Sequence, residues 1–349
     1  MASTTKLMTA YLAREALDLD RVVTTAPYEP GPFESLMRLR RGEQVSVHDL
    51  LYGLLLASGN DAAVTLAVAV AGSEEAFVSR MNDAAAELGL SDTSYENPIG
   101  FDAPTHFTTA RDLVALALEL RDDRVLSEIV DTDRATLVEG ERVRRIRNRN
   151  TLVRRVPFVD GVKTGYTDSA GYVLVASGER NGITLVSALL GAPSERARDT
   201  GSLGLLRWGF SRYARERALV ANEVLARVPV VDRDVEVSLA ASRPVDLVVR
   251  PDERVDVRTE RVPAEVGGPI PAGKRLGTAI VTVDGSTQAR VPLLATEAVA
   301  AASTIERIDA ALPGRRAAAL GLLALGAGAV IALIAVAARW VAGRGRPAR

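Results

Sequence analysis

The 349-residue chain reads as an α+β protein: an antiparallel sheet flanked by helices, then a small all-β domain and a C-terminal membrane-spanning helix. Three observations predict this. Apolar residues recur at helical spacing through much of the first 120 residues. Two apolar runs, 171–177 and 183–190, flank a Glu179-Arg180-Asn181-Gly182 turn of the hairpin type. From residue 221 to about 294 the pattern changes to short Val-rich strands broken by Pro, Asp and Gly.

Taken in order, residues 3–18 fit a helix that Ser3 or Thr4 can cap, with Leu7, Met8, Tyr11 and Leu12 on its apolar face. Residues 21–44 are strand- and loop-like, turning at Tyr28-Glu29-Pro30-Gly31-Pro32. Ser46 caps the next helix, with Asp49 in its first turn. After the turn Ser58-Gly59-Asn60 a helix covers 61–71, and another covers 73–89, stopped by Gly89. Residues 110–120 form an amphipathic helix. The arginine-rich stretch 131–155 predicts a pair of exposed strands turning near Gly140. A helix over about 195–213 follows the hairpin. The Val-rich strands fall at 228–231, 235–239, 245–249, 277–283 and 288–293. The expected domains are 1–217, a β domain over 218–296, a stalk over 297–316, a transmembrane helix over 317–338 and a basic tail over 339–349.

Composition excludes several chemistries. A net charge of −1 gives no electrostatic case for nucleic acid. The absence of cysteine removes thiol catalysis, thiolate metal sites and disulfides, and two histidines, His48 and His106, are too few for a His-rich metal centre. Residues 317–338 carry no charge and would span about 33 Å as a helix, enough for a bilayer. Four arginines and no acid in the tail predict that it lies on the cytoplasmic side, with the rest of the chain outside. No basic stretch followed by an apolar run precedes the first helix, so the expectation is that Met1 is an internal methionine and that the gene starts upstream.

Three short strings occur in order: Ser3-Thr4-Thr5-Lys6, Ser58-Gly59-Asn60 and Lys163-Thr164-Gly165. Of 43 basic residues only Lys6, Lys163 and Lys274 are lysine, so two of the three fall inside these strings. Arginine serves surface charge equally well, but a guanidinium stays protonated where a buried ammonium can be tuned. Ser3 and Lys6 share a helix face, at a terminus where backbone N–H groups favour a developing oxyanion. Lys6 can take the Ser3 proton if burial and a nearby cation, Lys163, lower its pKa. Ser58 can relay a proton to a leaving amine, and Asn60 can hydrogen-bond both Lys6 and a substrate amide. Lys163 and Thr164, on an edge strand, can hold a carboxylate, while Gly165 admits a substrate backbone. Singly, each string is equally well an ordinary cap, turn or loop. Together and in order they carry the argument.

With these motifs the chain resembles the D-alanyl-D-alanine carboxypeptidase family of serine peptidases, the low-molecular-mass penicillin-binding proteins. The stretches MASTTKLMTA, LLLASGNDAA, NPIGFDAPTHFTTARDL, GVKTGYTDSAGYVLVAS and GAPSERARDTGSLGLLRWGF carry the resemblance across nearly all of residues 1–300. It implies a β-lactamase/transpeptidase-like sheet, with Ser3 acylated, Lys6 its base, and an oxyanion hole from the N–H groups of Ser3 and Tyr166. It also implies that Arg198 helps place the terminal carboxylate. Members carry strands before the Ser-x-x-Lys helix, which this sequence lacks. The implied activity is removal of the terminal D-alanine from peptidoglycan stem peptides in cell-wall maturation. β-Lactams would be covalent inhibitors, and no metal or organic cofactor is implied. The alternatives are a β-lactamase or D,D-endopeptidase of the same fold, or a non-catalytic wall-binding or regulatory protein.

Overall fold

The computed structural model describes residues 1–138, 140–311, 325 and 328–335, and the chain divides into two compact units, Met1–Ala214 and Arg215–Arg349. In the first unit a 3-10 turn, Ala2–Thr5, runs into α1 (Lys6–Ala16). Then come β1 (Val22–Thr24), β2 (Gln44–Ser46), α2 (Val47–Leu55), α3 (Asn60–Ala71) and α4 (Glu74–Glu87). They are followed by α5 (Ala110–Asp122), α6 (Arg124–Asp131), β3 (Arg134–Leu137), β4 (Arg144–Arg147) and α7 (Leu152–Arg155). The unit closes with β5 (Val159–Thr167), β6 (Gly171–Arg180), β7 (Ile183–Ala192) and α8 (Glu195–Arg212).

Local chemistry accounts for most of these boundaries. The Ser46 hydroxyl caps α2 by accepting from Asp49 N at 3.1 Å, and Ser73 caps α4 in the same way. Gly89 lies just past α4 with φ 68°, the left-handed conformation that ends a helix without a Cβ clash. Asn181 and Gly182 both have positive φ, which matches the twist of the β6–β7 hairpin. Ser3 and Thr4 cap nothing, contrary to the sequence reading: they sit inside the 3-10 turn, and the N-cap of α1 is Thr5 with no side-chain bond. Helices α6 and α7 were not expected, being only eight and four residues long.

The antiparallel sheet β5–β6–β7 organises this unit. Its central strand β6 is buried on both faces, so its apolar run is continuous rather than alternating. Val175 joins the main core with α1 to α6, while Leu174 and Ala176 face the cluster that includes Leu206 of α8. Helix α1 runs through the main core, which is why Lys6, Leu7, Met8, Thr9, Ala10 and Ala13 are all buried.

The second unit holds β8 (Ala214–Leu219, its first residue shared with the boundary), β9 (Val224–Pro229), β10 (Glu236–Ala241), β11 (Val245–Val249), β12 (Val255–Glu260), β13 (Arg275–Val283), β14 (Ser286–Ala295) and α9 (Thr304–Ala311). Five strands form one sheet in the order β12-β13-β14-β10-β9, and β11 pairs with β8. Strands β8 and β12 escaped the sequence reading because they are exposed, charged edges without an apolar alternation. The predicted transmembrane helix over 317–338 lies largely outside the described residues. Among those described, no single helix is long and apolar enough to cross a membrane, though the bent pair α3 and α4 passes by length and composition together. Much of α3 is buried in the core.

One buried ion pair ties the β3–β4 hairpin to the rest of the unit. Arg144 Nη2 reaches both Glu43 carboxylate oxygens at 2.6 Å, and both side chains are buried. Arg144→Leu leaves an uncompensated buried carboxylate, so stability of the unit should fall by about 3–5 kcal/mol. A thermal melt within a degree of wild type would refute that assignment.

Candidate active site

The three strings converge on one cavity of about 440 Å³, lined by Ser3, Ser58, Arg149, Thr164, Gly165, Tyr166 and Arg198 among others. Ser3 is presented by the 3-10 turn, Ser58 by the loop between α2 and α3, and Thr164 to Tyr166 by β5, which is an edge strand as expected. Backbone strain marks two points: Ala2 and Ser58 have φ of 53° and 61°, left-handed values unusual for residues with a Cβ. The approach of β5 to the Ala2–Thr5 turn explains Gly165. A Cβ there would lie 3.0 Å from Ser3 N and 3.4 Å from Thr4 N. The close neighbour that this glycine admits is therefore the turn that carries Ser3. Gly100 is tighter still, since a Cβ would fall 2.0 Å from the Ala2 carbonyl oxygen.

Lys6 Nζ lies 3.2 Å from Ser3 Oγ and donates to the Ile99 carbonyl at 2.5 Å. It is fully buried, and burial first, with Arg149 adding to it against Glu34 and Asp61, lowers its pKa to about 7. Arg149 adds to the mutual repulsion of Lys6 and Lys163 that the sequence reading expects. Lys163 is itself held well below its ordinary value by burial first, then by Lys6, Arg149 and Arg198. Its Nζ donates to Ser58 Oγ at 2.9 Å and to the Thr164 carbonyl at 3.1 Å. With 1 % exposure, Lys163 is turned to Ser58 and the backbone of its own strand rather than to the open cavity.

Asn60 also differs from expectation. Its Nδ2 donates to Glu34 Oε2 at 2.8 Å, and no bond to Lys6 is present among the described residues. Glu34 accepts as well from Gly31 N at 2.6 Å and from the Tyr28 hydroxyl. Burial works to raise its pKa, but these donors outweigh burial and hold the carboxyl below its ordinary value. Asp61 fixes the loop that carries Glu34, accepting from Met37 N at 2.8 Å and Leu39 N at 2.9 Å. Glu34 and Arg149 escaped the sequence reading. Neither belongs to a motif, and both act through contacts across the fold.

Arg198 reaches the cavity, but its Nη2 is committed to Asp199 at 2.8 Å and Glu195 at 3.0 Å, and its Nε to Asp199 at 3.0 Å. Arg149 is the freer guanidinium, donating Nε to the Ala57 carbonyl at 3.0 Å. His106 is structural. Its Nδ1 accepts from Glu96 N at 3.0 Å, so Nε2 carries the proton toward Thr5 Oγ1 at 2.9 Å, and Thr5 in turn donates to the Ala2 carbonyl. Burial lowers the His106 pKa to about 4, which keeps that chain neutral. No group of acidic, histidine or cysteine side chains among the described residues could hold a metal ion.

A serine beside a buried amine, with a second serine–lysine pair across the cavity, defines the class of serine acyl-transfer enzymes. The D-alanyl-D-alanine carboxypeptidase family model matches residues 1–194, and the model of the penicillin-binding protein 5 C-terminal domain matches 213–301. The chain is similar to D-alanyl-D-alanine carboxypeptidase DacF of Bacillus subtilis, 34% identical with 85% of this chain and 78% of that protein covered. It is likewise similar to DacC of Escherichia coli, at 35% identity with the same coverage. Among solved structures, penicillin-binding protein 5 of Haemophilus influenzae matches with a TM-score of 0.59 at 30% identity, over 86% of this chain and 90% of that one. Penicillin-binding protein 6B of Escherichia coli matches with a TM-score of 0.62 at 29% identity, over 83% and 86%. The chain belongs to the D-alanyl-D-alanine carboxypeptidase family.

Only unprotonated Lys6 can accept the Ser3 proton, and that form dominates above about pH 7. Acylation by a fluorescent penicillin should therefore rise through an apparent pKa near 7 and fall about tenfold per unit below it. Glu34 raises the Lys6 pKa. Glu34→Gln should move that acid limb to lower pH and, by loosening Asn60, lower the rate on the order of tenfold. An unmoved limb would mean that Glu34 is merely structural.

Proposed function

We propose that this enzyme, a serine D-Ala-D-Ala carboxypeptidase of peptidoglycan stem peptides, works through an acyl-enzyme on Ser3. The observation that carries the assignment is the 3.2 Å approach of a fully buried, pKa-lowered Lys6 to Ser3 Oγ. Ser3 Oγ attacks the carbonyl of the penultimate D-alanine while Lys6 takes its proton. The N–H groups of Ser3 and Tyr166 receive the oxyanion. Ser58, charged with a hydrogen bond from Lys163, returns a proton to the departing amine, and water then releases the acyl group. Thr164, Arg198 and Arg149 hold the terminal carboxylate. A β-lactam would acylate Ser3 in the same way and block the site.

The same reading places the enzyme on the extracytoplasmic side of the cell membrane, held by residues 317–338. Support comes from the absence of charge over that segment and from Leu325, Ile331, Leu333 and Ile334, each more than 60% exposed. It divides the chain into a catalytic part to residue 217, the β domain to 296 and a stalk to 316.

Ser3→Ala should abolish covalent labelling by a fluorescent penicillin, and persistent labelling would remove Ser3 from its role. Lys6→Arg keeps the charge but supplies no base at neutral pH, so acylation should fall below about a tenth of wild type. Retention of most of the rate would contradict the mechanism. Deleting residues 317–349 should release the enzyme from the membrane fraction with D-Ala release unchanged, and a deletion variant that still sediments with membranes would sink the anchor assignment.

A further inference from the structure

Among the described residues Phe33 is the most exposed of the large apolar side chains, at 106 %. An isolated exposed apolar side chain needs no explanation by itself. Phe33 differs in three respects. It lines the catalytic cavity together with Ser3 and Ser58. Its backbone has φ 66°, a left-handed value that strains a bulky residue and that glycine would adopt freely. The chain around it is also clamped. Glu34 accepts from Gly31 N at 2.6 Å and from Asn60 Nδ2 at 2.8 Å, the Ser35 carbonyl accepts from Asn60 N at 2.8 Å, and Met37 N donates to Asp61 at 2.8 Å. The loop between β1 and β2 is thus tied to the start of α3, and it holds a strained phenylalanine at the site where packing within the chain returns nothing. A bound substrate supplies the missing contact.

The cavity lining divides by chemistry. Arg149, Arg198 and Thr164 form its polar part, which suits a terminal carboxylate. Phe33, Tyr166 and Tyr172 form its aromatic part. The two tyrosines stand opposite each other on β5 and β6, with ring centroids 4.4 Å apart. Tyr166 is 52 % exposed, and its hydroxyl donates to Asp168 at 2.9 Å, which fixes the ring. The sheet therefore contributes one aromatic surface and the β1–β2 loop contributes another.

Building on the carboxypeptidase reading, we propose that Phe33 is a specificity-determining residue that packs on an aliphatic side arm of the acyl donor and holds it against the Tyr166–Tyr172 pair. The arm belongs to the residue that precedes the D-alanyl-D-alanine pair. The terminal carboxylate takes the arginine end of the cavity, so the acyl side falls to the aromatic rings. Covering the exposed ring removes apolar surface of both partners from water. That gain reaches only donors long enough to touch the ring, and it separates them by their arms, since the scissile bond is common to all. The strain at Phe33 keeps the contact preformed.

The test compares full-length wild type with Phe33→Ala and Phe33→Tyr on two substrates: N-acetyl-D-Ala-D-Ala, which has no side arm, and diacetyl-L-Lys-D-Ala-D-Ala, whose arm is aliphatic. Wild type should cleave the tripeptide more efficiently. Phe33→Ala should lose about tenfold in kcat/KM on the tripeptide and stay within about twofold on the dipeptide. Phe33→Tyr retains the ring and should retain the tripeptide rate. Both variants should melt within about two degrees of wild type, because the ring packs on nothing in the free enzyme. A dipeptide that wild type does not cleave is the arm preference at its limit, and the two variants on the tripeptide then decide. Equal losses on both substrates overturn the inference, by showing that Phe33 only shapes the loop that holds Asn60. An undiminished tripeptide rate in Phe33→Ala overturns it as well. In both cases wild type still releases D-alanine and the carboxypeptidase reading stands. If wild type releases D-alanine from neither substrate, that reading fails and the inference falls with it.

Discussion

Burying two ammonium groups within one core is the constraint on which the catalytic unit depends. Lys6 has no exposed surface and Lys163 has 1 %. Removing a charged amine from water is costly, and a protein lowers that cost by letting the amine shed its proton. The pKa near 7 of Lys6 follows first from that burial and only secondarily from the surrounding charges. Burial here is produced by the whole arrangement of the unit: α1 runs through the main core, and β5 closes over the 3-10 turn at its start. The chemistry of the site is thus a consequence of packing.

The same packing holds Ser3 in place. The turn that presents Ser3 is bonded through Thr5 to His106 and from there to the backbone of Glu96, which ties the 96–106 segment to the turn. Lys6 adds a second tie, through the Ile99 carbonyl. Gly100 and Gly165 let two further stretches of backbone come within contact distance of the Ala2–Thr4 turn. Glu34 extends this support to the opposite wall, where its carboxylate fixes Asn60 while its charge moderates the fall in the Lys6 pKa.

Much of the fold was legible in local sequence. The Ser46 cap, the Gly89 stop, the Asn181-Gly182 turn and the strands around it each announce themselves within a few residues, and the structure contains all of them. The elements that were missed have weak local signals. Helix α6 spans eight residues, α7 spans four, and β8 and β12 are exposed edges whose charged residues hide the strand period. The start of α1 was misjudged because a serine near a helix terminus looks like a cap, whereas here Ser3 is held in a 3-10 turn by contacts from β5 and from the 97–101 loop.

For the site, the sequence by itself determined which side chains are available: two of only three lysines placed in ordered motifs, two serines, and no cysteine to offer another nucleophile. Those are properties of covalent order, and spacing of three along a helix already brings Ser3 and Lys6 together. What each side chain faces was decided only by the tertiary structure. Lys163 turned to Ser58 rather than to the open cavity, Asn60 turned to Glu34 rather than to Lys6, and Arg149 joined Lys163 as a cation acting on Lys6. The physical reason is that electrostatics and hydrogen bonding depend on distance through space and on exclusion of water, and residues from 26 to more than a hundred positions apart acquire both only when the chain folds back on itself.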